Sequence, residues 1–246
     1  MGNAGLEFGV LGPLQLTAGG TLVPLGAPKR RAVLAMLVLN RNRPVSVDAL
    51  IDAVWDQLPV PAARTSIHSY VSRLRGLIGA AGVDANQVLA SAPPGYQLNV
   101  ADADCDLGRF VTEKNAGVHA AAAGRFEDAS GYLSAALAQW RGPFLDDLRE
   151  FAFVDTFATA LSEVRVAVQT ALAEAEIACG RADAVIPRLE VLSVVIDTGG
   201  RFVTSDLRWT NGVQVQGRRI RSSATLADGD HIRIGGHEFT FDIRPR

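Results

Sequence analysis

Between Leu192 and Ser193 the period of the apolar residues changes. Upstream, PRLEVL sets Leu189, Val191 and Leu192 at helical spacing; downstream, SVVIDTGGRF is β-branched and ends in a Gly-Gly turn. Apolar side chains repeat about every 3.6 residues on a helix and every second residue on a strand, so one element cannot hold both patterns. No polar linker separates them. The chain is therefore expected to be multidomain α+β, with a helical unit running straight into a β-unit.

Length and charge support several units. The 246 residues suffice for two or three small cores. Residues 1–100 carry a net +3, residues 101–190 a net −7 and residues 191–246 a net +2. A basic head, an acidic middle and a mildly basic tail imply units with different partners. No apolar run approaches the roughly 18 residues of a membrane span. The opening MGNAGLEFGVLG lacks the basic and long apolar regions of a signal peptide. Cys105 and Cys179 form no CxxC pair and read as reduced thiols. A cytoplasmic location and no membrane partner are expected.

In the head, LEFGVLGPLQLTAGGTLVPLG alternates around Gly-Pro and Gly-Gly, which predicts two or three short antiparallel strands. PKRRAVLAMLVLN follows with Val33, Leu34, Leu37 and Val38 on one helical face. After Pro44, Ser46 reads as the N-cap of a second helix that buries Leu50, Ile51, Val54 and Trp55. The third helix, ARTSIHSYVSRLRGLIG at 63–79, has Ile67, Val71, Leu74 and Ile78 as its core stripe. Opposite lie Thr65, Ser69, Ser72 and Gly76, with His68 and Arg75 on one flank and Arg73 on the other. Slim hydrogen-bonding side chains edged by cations suit a helix lying in a major groove. QVLASAPPGYQLNV then predicts a hairpin tipped by Pro-Pro-Gly. Strands, two helices, a basic helix and a hairpin, in that order, make a winged helix-turn-helix.

The N-terminal strands, RTSIHSYVSRLR and PPGYQL resemble the OmpR-type winged helix that opens the SARP family of bacterial transcriptional activators, across residues 6–100. The resemblance implies that the third helix enters the major groove of promoter DNA while a wing at 88–100 touches the adjacent minor groove. By position it implies contacts from Arg64, Thr65, His68, Ser69, Ser72, Arg73 and Arg75. The three arginines are expected mainly on phosphate, and Thr65, His68 and Ser69 nearer the bases.

Residues 106–192 read as helical hairpins. Two Gly-Arg turns, at Gly124 and Gly180, stand too far apart for adjacent repeats, which leaves room for another helix at roughly 153–178. With the WRG turn at Trp140–Gly142, this segment resembles the bacterial transcriptional activation domain of SARP regulators, an α-helical tetratricopeptide-like domain. The resemblance implies self-association into a homo-oligomer and contact with RNA polymerase. Trp140 itself is expected to be a packing anchor.

In the tail, Val213 and Val215, Ile232 and Ile234, and Phe239, Phe241 and Ile243 alternate around Asn-Gly, Asp-Gly-Asp and Gly-Gly turns. This resembles the C-terminal half of a forkhead-associated (FHA) domain, so a partial β-sandwich, an incomplete FHA, is expected. The three units in this order resemble the EmbR-type branch of the SARP family, with domains at 1–101, 102–192 and 193–246. FHA domains bind phosphothreonine through an early Gly-Arg loop and a Ser-Arg-x-His loop. Neither is present: Ser193 precedes Val194 with no Arg or His, and Trp209 stands where Ser is usual. Asn211 and Gly212 are the phosphopeptide-contact positions that remain. The abutment at residue 192 therefore reads as a deletion of the end of one domain and the start of the next.

Two functional classes compete on these residues. One is a DNA-binding transcriptional regulator. The other is a non-catalytic interaction protein that binds or inhibits a Ser/Thr protein kinase or a full-length relative through its helical and FHA-like parts. No enzyme is expected, because no triad, phosphate loop or nucleotide fingerprint appears in a suitable context. No cofactor or metal is expected either: a hairpin that set His231 and His237 on one face would still lack a third ligand.

Overall fold

The computed structural model describes residues 5–55, 62–181, 196–197, 202–205, 213–220, 223–234 and 237–241. It divides into two compact units, Met1–Ala175 and Glu176–Arg246. Among the described residues, no helix is long and apolar enough to cross a membrane.

The first unit begins with an antiparallel sheet of β1 (Leu6–Gly9), β2 (Gln15–Ala18) and β3 (Thr21–Leu22), in that spatial order. Leu6, Phe8 and Leu16 point inward and Glu7 outward, as period-two alternation requires. α1 (Pro28–Leu39) starts on a proline, whose missing N–H is no loss in the first turn. It buries Val33, Leu34, Leu37 and Val38 completely. β4 (Val45–Ser46) leads into α2 (Val47–Trp55), and the Ser46 Oγ accepts from the Ala49 N–H at 3.0 Å, the expected cap. Leu50 and Val54 are buried, while Ile51 and Trp55 form a half-buried rim. α3 (Ala63–Ala80) and a short α4 (Ala85–Val88) precede β5 (Leu89–Ala92) and β6 (Gly95–Leu98). The hairpin joins β4 in a sheet ordered β4-β6-β5.

α5 (Asp106–Ala122) and α6 (Phe126–Ala138) form the first helical hairpin, and α7 (Ala152–Ala178) supplies the expected intervening helix. Gly124 closes α5 at φ +72°, and the Arg125 N–H reaches back to the Ala120 carbonyl at 2.9 Å. Gly180 repeats the device after α7, at φ +78° with the Arg181 N–H on the Glu176 carbonyl at 2.9 Å. A left-handed residue is needed to turn the chain back on its last carbonyls, which is why glycine stands in both turns. The helix expected from 182 to 192, and the abutment itself, lie outside the described residues. Trp140 packs edge-on against Phe110, with centroids 5.7 Å apart, and carries the Arg165 guanidinium 4.6 Å above its ring. It is the packing anchor anticipated from the sequence.

The boundary expected at residue 101 falls inside the first unit, because the winged-helix and helical segments share one core. Asp106, only 3% exposed, explains how. Its carboxylate accepts from the backbone N–H groups of Val10 and Leu11, each at 2.9 Å, and from its neighbour Leu107 at 2.7 Å. Arg141 donates to the same carboxylate at 3.0 Å, and its own backbone N–H bonds the Leu11 carbonyl at 2.7 Å. Asp147 repeats the theme by accepting from the Leu14 N–H at 2.8 Å and pairing with Arg31 on α1. Cys105, fully buried beside this knot, has its thiol pushed up from the usual range by burial.

The second unit contains two antiparallel sheets among its described residues. β7 (Ile196–Asp197), β8 (Phe202–Ser205) and β11 (Ser223–Leu226) stand in the order β11-β8-β7. β9 (Val213–Val215), β10 (Arg218–Arg219), β12 (Asp230–Ile234) and β13 (His237–Phe241) form the order β10-β9-β12-β13. Ile232 pairs with both Val215 and Phe239, and Ile234 with Val213, so the alternating apolar positions share one face. The same register sets positions 231 and 237 on opposite faces, since 231 opposes Thr240 while 237 opposes Ile234. A shared histidine face is thus corrected by one step of strand parity. Asp230 ties its turn, accepting from the Ala227 N–H and the Gln216 side chain, both at 2.8 Å, and these bonds hold its carboxyl below the usual range.

Removing the Asp106 carboxylate strands the three buried N–H groups of Val10, Leu11 and Leu107 and leaves Arg141 without its counter-charge. Asp106→Ala is expected to cost about 3 kcal/mol of stability. Thermal melting checks this, and an unchanged melting temperature contradicts the assigned role.

Candidate nucleic-acid interface

The stripe Ile67, Val71, Leu74 and Ile78 is fully buried against α1 and α2, which fixes the rotation of α3 about its own axis. The opposite row, Thr65, Ser69, Ser72 and Gly76, is exposed along its whole length. Among the described residues of this unit, nothing covers it. The row is slim enough for close approach to a groove floor, and its hydroxyls both donate and accept.

The flanking cations behave differently from one another. Arg73 is exposed and has no ion-pair partner among the described residues. Arg64 meets Asp48 of α2 at 2.5 Å, but both side chains are more than half exposed, so the pair contributes little and is easily exchanged for a phosphate. Arg75 departs from the expected free, phosphate-gripping cation. It is half-buried, its Nε donates to the Leu89 carbonyl and its Nη2 to the Ser91 hydroxyl, each at 2.9 Å. Its guanidinium also lies 5.6 Å from the centre of the Tyr96 ring. Arg75 binds the helix to the β5–β6 hairpin.

That hairpin is the expected wing. Ser91 pairs with Tyr96 and Ala92 with Gly95, which leaves Pro93 and Pro94 at the tip. A Cβ on Gly95 would lie 1.8 Å from the Val45 carbonyl oxygen, so only glycine lets β4 and β6 approach this closely. Tyr96, 8% exposed, sits between the wing and α3, and its hydroxyl lies 2.5 Å from Nδ1 of His68. His68 is itself exposed, so the helix and wing meet through a hydrogen bond at the edge of the outward row. Sequence reasoning gathered Arg64, Thr65, His68, Ser69, Ser72, Arg73 and Arg75 on one helix, and the structure brings them together there. It missed Tyr96 and Ser91. The signal was present: Tyr96 alternates inward with Leu98 on β6, and an inward tyrosine must place its hydroxyl somewhere. Asn211 and Gly212 lie outside the described residues.

Comparisons with known proteins agree with this architecture. Residues 23–98 match the family "Transcriptional regulatory protein, C terminal", residues 105–202 the "Bacterial transcriptional activator domain" and residues 189–235 the "FHA domain". Together they define a transcriptional regulator with a winged helix, a helical activation-type domain and an FHA-type segment. Transcriptional regulatory protein EmbR of Mycobacterium tuberculosis is 44% identical over 370 aligned positions, spanning 97% of this chain and 95% of EmbR. MoaR1 of the same organism is 53% identical over 188 residues, covering 76% of this chain and 60% of MoaR1. A solved structure of M. tuberculosis EmbR in complex with a low affinity phosphopeptide matches with a TM-score of 0.75 at 43% identity, covering 97% of this chain and 98% of that one. The chain belongs to the EmbR family of transcriptional regulators.

It is a shortened member. An alignment of 370 positions against 246 residues leaves at least 124 positions of EmbR without a counterpart here. The activator-domain and FHA matches overlap at 189–202, around the point where the apolar period changes.

Proposed function

We propose that the protein regulates transcription by docking α3 into the major groove of double-stranded promoter DNA, with the β5–β6 wing against the neighbouring backbone and minor groove. The observation that carries this reading is the uncovered row of Thr65, Ser69 and Ser72 beside a wing tied to the same helix. Thr65, His68 and Ser69 face base edges, and Arg64 and Arg73 grip phosphate. Arg75 mainly sets the angle of the wing. The protein acts in the cytoplasm without catalysis, as domains 1–101, 102–192 and 193–246, with the helical domain contacting RNA polymerase and a second copy of the chain.

A salt titration separates a phosphate contact from a base contact. Replacing Arg73 with alanine is expected to weaken binding about equally across sequences and to flatten the plot of log affinity against log salt by about 0.9. An unaltered slope removes Arg73 from the phosphate contacts.

A second reading, docking on a phosphorylated Ser/Thr protein kinase, draws support from the FHA match and from the phosphopeptide held by EmbR. Against it, the Arg and Ser-Arg-x-His loops typical of phosphothreonine recognition are missing from the sequence, and a phosphate dianion needs a cation to meet it. Calorimetry with a phosphothreonine peptide and its unphosphorylated twin is therefore expected to give no phosphate-dependent heat. A clear difference between the two favours the kinase-docking reading.

A further inference from the structure

We infer that Tyr96 is a positioning residue for DNA reading: it holds His68 in one tautomer, with Nε2–H presented to the groove as a hydrogen-bond donor. The inference rests on the groove-docking reading and adds a chemical specificity to it.

The argument begins with the phenolic proton. Tyr96 is nearly buried, and His68 Nδ1, at 2.5 Å, is its hydrogen-bond partner among the described residues. If Nδ1 carried a proton and donated to the phenol oxygen, the phenolic hydrogen would have no acceptor among the described residues. A buried donor left unmade is costly. The other arrangement satisfies both groups: Tyr96 O–H donates to a bare Nδ1, and the imidazole proton then resides on Nε2.

Geometry keeps this bond in place. The two rings meet edge-on, with centroids 6.1 Å apart at 74°. Arg75, one full heptad along the same flank of α3, lies over the Tyr96 ring with its guanidinium 5.6 Å from the centroid, and is anchored on Leu89 and Ser91. Tyr96 is also locked into the sheet on both sides, opposite Val45 and Ser91. The imidazole therefore has a fixed ring plane, a fixed tautomer and an exposed outer edge.

An outward N–H selects acceptors. In the major groove those are purine N7, guanine O6 and thymine O4, while the amino groups of cytosine and adenine are refused. His68 is accordingly assigned to an acceptor edge, with purine N7 the most accessible.

Two measurements test this. The first is the tautomer of the neutral His68 imidazole in the free chain, read from ring-nitrogen NMR. The inference expects the proton on Nε2, moving to a mixture of tautomers in Tyr96→Phe, which keeps the ring and its stacking on Arg75. A proton on Nδ1 in the wild-type chain overturns it.

The second uses a duplex selected from a random-sequence library by the full chain, with each purine replaced in turn by its 7-deaza analogue. One purine in each recognition site is expected to lose roughly fivefold in wild-type affinity when N7 is removed. His68→Ala should lose that sensitivity entirely, and Tyr96→Phe most of it, with the salt slope of both unchanged. Salt-dependent binding with no His68-dependent purine overturns the assignment while leaving groove docking intact. Failure of the wild-type chain to enrich any duplex overturns both. The tautomer measurement remains decisive should Tyr96→Phe fail to fold.

Discussion

One buried carboxylate organises the first unit. Asp106 sits at the first turn of α5 and gathers the Val10 and Leu11 N–H groups, its neighbour's N–H and the Arg141 guanidinium. Those partners come from the β1–β2 connection, from α5 itself and from the segment after α6. A carboxylate this deep is tolerated only when its oxygens are fully engaged and its charge is answered. The consequence is mechanical. The N-terminal sheet is the platform that joins α1, and through α1 the recognition helix, to the helical domain. Asp147, pairing with Arg31 and the Leu14 N–H, is a second stitch along the same seam. The DNA-reading and helical segments are thereby one body rather than two beads on a string.

On that platform the outward face of α3 is set by packing alone. Four fully buried side chains fix which residues look outward, and the wing is then attached from the flank by Arg75 and Tyr96. The winged-helix family match at residues 23–98 spans the whole of this helix and wing. Every residue of the helix and wing lies well before the region where the activator-domain and FHA matches overlap. The helix and wing draw their stability from one buried core that runs from Leu6 to Ala175.

Much of this was legible in the chain. The four-residue core stripe of α3, the Ser46 cap, the Gly124 and Gly180 turns and the single apolar face of the tail all follow from periodicity and turn chemistry. Such signals are local, so one sequence carries them. What escaped was non-local and polar. Asp106 reads as an ordinary acid in the first turn of a helix, and nothing nearby announces that its partners lie about a hundred positions earlier. Arg75 reads as a flanking cation until the wing is folded against it. The facing of positions 231 and 237 depended on strand register, which one residue of slip inverts. In each case the missing information was which distant backbone a polar side chain would meet.

The central claim is that the Thr65–Ser69–Ser72 side of α3 is the surface that meets DNA. The most direct test is a map of backbone amide NMR shifts in the full chain as a duplex it has enriched from random sequence is added. The account predicts the largest changes at Thr65, Ser69, Ser72 and Arg73 and at the wing tip near Pro94, with residues 106–178 little altered. Changes centred on 106–178, with α3 unmoved, would contradict it.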